Sequence, residues 1–253
     1  MTTWDDQQYL KFADERTRPA AELLGRVPLA EAKQVVDLGC GPGNSTALLR
    51  ERFPRARILG VDNSTDMLER ARKDYPDLTW VEADAGSFAG ETPFDLLFAN
   101  ALLQWLPDHA SLVPALFERL APGGVLALQM PRNFEEPSHR LMRSTHGPWS
   151  EHLAEVRALT QVSNPAFYYD LLAPSARSVD IWQTTYEHVM PSPDAIVDWV
   201  KGTGLRPYLE ALPESQRAPF LAAYTRGIDG AYPTRSDGKR LFSFPRLFIV
   251  AVR

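Results

Sequence analysis

Cysteine is nearly absent from this chain: Cys40 stands alone among 253 residues, which excludes an internal disulfide framework and suits a reducing compartment. Lysine is scarce too, since of 27 basic residues 5 are Lys and 22 are Arg. Arginine is the better clamp for carboxylates, because its planar fork matches both oxygens. No run of about 18 apolar residues occurs, which argues against a transmembrane helix. Residues 1–30 begin Met-Thr-Thr-Trp-Asp-Asp and lack the apolar core of a signal peptide. Excess positive charge is also missing: 32 acidic against 27 basic residues leave a net charge of −5, with no global field to draw nucleic acid or an anionic membrane. No His/Asp/Glu group has metal-ligand spacing, so no metal is expected. Repeats, low-complexity tracts and linkers are absent as well. The expectation is a soluble, cytoplasmic protein, a monomer or weak oligomer.

What is present, 44% hydrophobic and 23% charged residues, is the balance of an ordinary globular domain long enough to bury a full core. Residues 34–130 alternate short apolar runs with amphipathic stretches, the pattern of βαβ units around a parallel sheet. Strands are predicted at 34–38, 57–61, 78–82, 94–98 and 125–130, with helices at 45–52, 65–74 and 109–120. Residues 131–176 hold five prolines and read as a helical insertion over the sheet edge. A sixth strand is predicted at 179–189, helices at 194–200 and 218–230, and a seventh strand at 247–252. Spacing alone leaves the direction of that last strand open.

Val35-Val-Asp-Leu-Gly39-Cys-Gly41-Pro-Gly43-Asn-Ser-Thr46 is the most informative stretch. Glycines at alternate positions, between a buried strand and a helix, let a ligand approach the backbone closely. A dinucleotide-binding loop has the spacing G-x-G-x-x-G. Here the third glycine comes one residue early, and Pro42 removes a donor that a pyrophosphate uses, so the loop favours a ligand without phosphates. Asp62 and Asp84 follow the second and third strands. A carboxylate placed like Asp62 can accept both hydroxyls of a ribose, and Asp84 is near enough for an adenine amine. Any one acid after a strand can be a mere turn or cap residue; three ordered features converging on one crevice argue otherwise.

With these residues in view, the chain resembles the class I S-adenosylmethionine-dependent methyltransferases. The matching motifs are Val36-Asp-Leu-Gly-Cys-Gly-Pro-Gly43, Gly60-Val-Asp62, Glu82-Ala-Asp84, Phe94-Asp-Leu-Leu-Phe-Ala-Asn100 and Leu120-Ala-Pro-Gly-Gly-Val-Leu126, in the family's order over the first half of the chain. The resemblance implies one α/β domain spanning 1–253, with a Rossmann-like, seven-stranded, mostly parallel sheet, helices on both faces and an antiparallel seventh strand. It adds a cofactor-covering helix at about 5–25 and helical, lid-like insertions at about 131–176 and 191–240. It also implies S-adenosylmethionine as cofactor and S-adenosylhomocysteine as product. Gly39 and Gly41 then pass beneath the methionine portion, Asp62 holds the ribose, Asp84 the adenine amine, and Asn100 offers its carbonyl to the methionine ammonium. Arg18, Asp37, Cys40, Asn63, Met67, Ala85 and Trp105 complete the expected cofactor site.

The flanking segments resemble, nearly end to end, a narrower subfamily of carboxyl O-methyltransferases acting on a small tricarboxylic acid. Its carriers are Tyr9-Leu-Lys-Phe-Ala-Asp-Glu-Arg-Thr-Arg-Pro19, Gln104-Trp-Leu-Pro-Asp-His109, Asp180-Ile-Trp-Gln-Thr-Thr185, Thr203-Gly-Leu-Arg-Pro207 and Phe244-Pro-Arg-Leu-Phe-Ile-Val-Ala251. Such an acceptor needs no catalytic base, because a carboxylate with pKa near 4 is already ionised at neutral pH. No acid–base residue is therefore expected, and His109 and His139 are taken as binding or packing groups. Substrate-binding candidates are Tyr9, Arg16, Gln104, Arg132, His139, Trp199 and Arg246, with Arg140, Arg143 and Arg206 as further possible clamps. The rivals are another small-molecule O- or C-methyltransferase, a nicotinamide-dependent oxidoreductase, which the glycine spacing opposes, a non-catalytic cofactor-binding regulator, and a nucleic-acid methyltransferase, which lacks its basic face here.

Overall fold

The computed structural model describes residues 13–88, 90, 93–156 and 162–253. In chain order the elements are α1 (Ala13–Gly25), β1 (Gln34–Leu38), α2 (Asn44–Arg52), β2 (Arg57–Asp62), α3 (Thr65–Asp74), β3 (Thr79–Glu82), β4 (Phe94–Asn100), α4 (His109–Phe117) and β5 (Leu120–Pro131). They continue with α5 (Pro137–Ser144), α6 (Pro165–Leu172), β6 (Ser178–Met190), α7 (Pro193–Lys201), α8 (Arg206–Ala211), α9 (Glu214–Ala231) and β7 (Arg240–Val252). The strands form one sheet in the order β3-β2-β1-β4-β5-β7-β6. Strands β1 to β5 pair in parallel, while β7 runs antiparallel to both β5 and β6.

Strand alternation divides the core between the two faces of the sheet. Val36, Leu38, Leu97, Ala99, Leu126, Leu128 and Met130 pack against α4 and α6 through Val113, Leu116, Tyr168 and Leu172. Val35, Ile58, Leu96, Phe98, Val125 and Ala127 face the other way, onto Ala20 and Leu23 of α1, Leu49 of α2 and Phe53 just after it. A third cluster joins Met142, Trp149, Ile196, Trp199, Phe220 and Tyr224 to Met190, Phe242 and Phe244 at the far end of the β6–β7 ribbon. This is the lid: the ribbon runs past the end of β5, whose last partner is Pro131 opposite Arg246, and the helices α5 and α7–α9 close around it.

One departure from the sequence reading has a local cause. Strand β7 begins at Arg240, not at 247, because Pro245 reads as a strand breaker. It is tolerated here because β5 no longer pairs beyond Arg246, leaving one edge of β7 without a ladder to complete. The prolines of the insertion do not break helices; Pro137, Pro165 and Pro193 start them, where a missing N–H costs nothing. Asn164 and Ser192 cap two of those starts by accepting the N–H groups of Phe167 and Ala195.

Helix α1 is the described part of the expected covering helix; its segment 5–12 lies outside the described residues. Its position is fixed by Glu22, whose carboxylate accepts hydrogen bonds from Trp182 Nε1 (3.2 Å), Thr184 Oγ1 (2.7 Å) and Tyr186 Oη (2.5 Å), all on β6.

Candidate active site

The strand order reverses between β1 and β4, and in open parallel sheets ligands bind in the crevice beyond the carboxyl ends at such a switch point. The glycine loop leaves β1 there. Gly39 N and Cys40 N both donate to Val61 O, at 2.8 and 3.1 Å, tying the loop to β2. Gly39 has φ +68°, and a Cβ at this position would lie 2.7 Å from Leu102 Cδ1, so the loop is seated against the turn after β4. Gly41 differs: its φ is +54°, yet a Cβ would meet nothing within 4 Å among the described residues. Its backbone faces open space, as a loop that admits a ligand requires.

Asp62 ends β2 and closes the other side. Its Oδ2 accepts the Gly41 N–H at 2.9 Å and its Oδ1 the Ser64 N–H at 2.9 Å. Each oxygen keeps a lone pair for a further donor. Ser64 in turn caps α3 by accepting from Met67 N, and Met67 is itself buried. Asn63 is exposed between them. Asp84 is exposed past β3 and accepts from Ser87 N at 3.0 Å, while Ala85 beside it is buried.

Asp37 and Cys40 lie deeper than the ligand surface. The Asp37 carboxylate is wholly buried and accepts from Ser45 Oγ (2.7 Å) and Thr46 Oγ1 (2.6 Å), so it locks the start of α2 beneath the loop. Burial, with the nearby charge of Asp62, pushes its pKa up to about 7 against the pull of those two hydroxyls. Burial, Asp37 and Asp62 likewise raise the Cys40 thiol far above its ordinary range, leaving it uncharged and unreactive.

Beyond β4, Ala101 takes φ +56° and donates its N–H to Gln129 O at 2.8 Å, while its carbonyl accepts Gln104 Nε2 at 2.6 Å. Gln104 and Trp105 ride on a 3-10 turn, Leu103–Trp105, and Trp105 is 51% exposed. The turn is held from below by His109, whose Nε2–H donates to Leu103 O at 2.7 Å and whose Nδ1 accepts from the Tyr168 hydroxyl at 2.7 Å. His109 is thus a packing group.

The substrate candidates separate into an edge set and a lid set. Arg132, directly after β5, donates from Nη1 to Gln183 Oε1 at 3.0 Å. Arg246 is 5% exposed, donates to Gln129 Oε1 at 3.3 Å and lies over the Phe244 ring at 4.8 Å. Arg18 lies over the Tyr186 ring at 4.8 Å, on the Arg246 side of the sheet. Trp199 and His139 belong to the lid. Trp199 is 2% exposed, its ring centroid 4.4 Å from that of His188 and near Phe242 and Phe244, so it packs among the aromatics of the lid. His139 bonds Ser138 Oγ at 3.1 Å and abuts Gly204; burial and the charge of Arg143 lower its pKa to about 4. Arg143 stacks on Phe134 and donates to its carbonyl, and with Arg140 lines an open groove of about 530 Å³ on the lid. Arg206 pairs with Glu210. Arg16 falls within α1, and Tyr9 lies outside the described residues.

Several buried polar atoms at this edge have no partner among the described residues: Asn100 Oδ1, Gln104 Oε1, Gln129 Nε2, Arg132 Nε and Asn133 Nδ2. Each such group costs about 1–3 kcal/mol when left unmet. Gln129, Asn133 and Gln183 are not singled out by the sequence, since nothing local marks a strand-end amide as buried.

Residues 35–124 match a family model described as a methyltransferase domain. Among solved structures, the chain is similar to the YcgJ protein of Bacillus subtilis (TM-score 0.62, 13% identity, 93% of this chain and 98% of that one). It is also similar to Haemonchus contortus phosphoethanolamine N-methyltransferase 2 in complex with S-adenosyl-L-methionine (TM-score 0.56, 16% identity), covering 93% of this chain and about half, 52%, of that one. At such identities these likenesses speak to the fold alone: a Rossmann-like methyltransferase fold. The sequence relatives go further. The chain is 65% identical over 253 residues, all of both chains, to a trans-aconitate 2-methyltransferase of Azoarcus sp. (strain BH72). It is 58% identical to one of Paracidovorax citrulli (strain AAC00-1), covering 100% of this chain and 99% of the relative. The chain belongs to the trans-aconitate 2-methyltransferase family.

Proposed function

We propose that the protein transfers a methyl group from S-adenosylmethionine to a carboxylate of trans-aconitate, giving a monomethyl ester and S-adenosylhomocysteine. The observation that carries this reading is whole-length identity of 65% to a relative of that name, joined to a glycine loop that is open at Gly41 and faced by Asp62. S-adenosylmethionine, when bound, supplies an electrophilic methyl group on a sulfonium. The residues present suit it: Asp62 keeps a lone pair on each oxygen for ribose hydroxyls, Asp84 is exposed for the adenine amine, and the Asn100 carbonyl ends β4 beside the loop. Gly39, Gly41, Asn63, Met67, Ala85 and Trp105 line the same site, supported from beneath by Asp37 and Cys40. Helix α1, which carries Arg18, closes it, and the lid shields the acceptor from water.

The acceptor carboxylate is already a nucleophile near neutral pH, so the protein's task is alignment, an effect of proximity and orientation. The reaction neutralises charge. Strong donors on the attacking oxygen hold the ground state more than the transition state, so donors belong on the carboxylates that do not react. Arg132 and Arg246 are suited to that work. The small charged acceptor and the single unreactive thiol fit a cytoplasmic enzyme. Incubation with S-adenosylmethionine and trans-aconitate, followed by mass spectrometry, tests the reading: a monomethyl ester is expected, and unchanged acid overturns it.

A further inference from the structure

The last residues of β5 and the turn beyond it carry three buried N–H donors that no acceptor among the described residues takes: Gln129 Nε2, Arg132 Nε and Asn133 Nδ2. Gln129 is fully buried and Asn133 is 6% exposed. By strand alternation Gln129 shares the face of Val125 and Ala127, whereas Arg132 continues the face of Leu128 and Met130. The donors therefore flank the strand end, and a ligand seated over that end meets both sides. Gln129 also lies opposite Asn100 in the β4–β5 register, which sets this group beside the methyl-donor crevice.

What surrounds Arg132 matters as much. Among the described residues the only acceptor of its guanidinium is the neutral amide oxygen of Gln183 on β6, and no carboxylate of those residues lies in ion-pair range of it. An amide fixes the direction of a guanidinium without cancelling its charge. Unmet donors on both sides of a strand end, with a directed positive charge on one of those sides, call for an acceptor-rich anion with diverging oxygens.

We propose that Gln129, Arg132 and Asn133 recognise the non-reacting carboxylates of the acid substrate, and that Gln183 is a positioning residue that aims Arg132 while leaving its charge open. This rests on the reading of the protein as a carboxyl methyltransferase, and it assigns the acid end of the site to the end of β5.

The test compares wild type with Asn133→Asp, Gln183→Glu and Gln129→Glu, and uses Gln129→Met should the buried glutamate prevent folding. KM for trans-aconitate is expected to rise about tenfold or more while kcat stays within about threefold, the split that marks lost binding common to ground and transition states. Selectivity for the tricarboxylate over a dicarboxylic analogue falls in parallel, and S-adenosylhomocysteine affinity, measured by calorimetry, is unchanged. A matching loss of S-adenosylhomocysteine affinity would mean that the donors hold the methionine carboxylate, and overturns the assignment. Unchanged KM and selectivity mean that water satisfies the donors, and overturn it as well. If wild type transfers no methyl group, the carboxyl-methyltransferase reading fails on its own. Trans-aconitate is then titrated into the S-adenosylhomocysteine complex: binding that Asn133→Asp weakens upholds the recognition site, and no binding by wild type removes it.

Discussion

Gly41 and Asp62 join the two halves of the crevice: the Gly41 N–H donates to Asp62 Oδ2 at 2.9 Å, so the loop after β1 and the acid after β2 hold each other in place. Because Asp62 also accepts the Ser64 N–H, its carboxylate is set before any ligand arrives. Asp62→Ala removes both acceptors and the proposed ribose contact. S-adenosylhomocysteine should bind at least tenfold more weakly, a change of about 1.4 kcal/mol readable by calorimetry.

Gly39 makes a stability prediction of its own. Gly39→Ala puts a Cβ 2.7 Å from Leu102 Cδ1 in a backbone with φ +68°. The left-handed conformation alone costs about 1–2 kcal/mol for a residue with a Cβ. The variant should unfold at lower urea concentration, and adding Leu102→Ala should return only the part owed to the collision.

The lid carries a pH dependence with a definite sign. Burial lowers His139 and His188 to about 4, aided by Arg143 for the first and by Arg246 and Arg18 for the second. A base depressed on folding contributes stability that is present above its unfolded pKa, near 6.5, and lost as pH falls toward 4. Lid stability, followed through Trp149 and Trp199 fluorescence, should therefore decline from about pH 6.5 to pH 4. His188→Phe suits a site ringed by Tyr186, Trp199, Phe242 and Phe244, and should flatten part of that decline.

Glu22 anchors α1 by accepting from three β6 side chains. Glu22→Leu strands those donors at a partly buried junction. We expect a loss of about 2–4 kcal/mol in thermal or denaturant unfolding, with faster proteolysis of the N-terminal segment. Glu22→Gln, which keeps one acceptor oxygen, should lose less.

The crevice was legible in the sequence because its chemistry is local. Alternating glycines after β1 and acids after β2 and β3 announce themselves within a few residues. Asp37 was legible only as part of that motif; its actual partners, Ser45 and Thr46, make it a support beneath the loop. The acid end of the site was less readable, since it is assembled across the sheet. Arg132 could be picked out by its place after β5, but the Gln183 that directs it is 51 residues away. The burial of Trp199 in the lid depends on the β6–β7 ribbon, and the first part of β7 was hidden by Pro245.

The central claim, methyl transfer to a carboxylate of a tricarboxylic acid, is tested most directly with methyl-labelled S-adenosylmethionine and an acceptor panel. Trans-aconitate, cis-aconitate, citrate, isocitrate and a monocarboxylic acid are compared by kcat/KM, and the labelled product is treated with alkali. The account predicts transfer led by trans-aconitate and label released by alkali as methanol, the behaviour of an ester. Alkali-stable label, or cofactor binding with no transfer to any of the acids, would contradict it and move the acceptor to a hydroxyl or carbon centre.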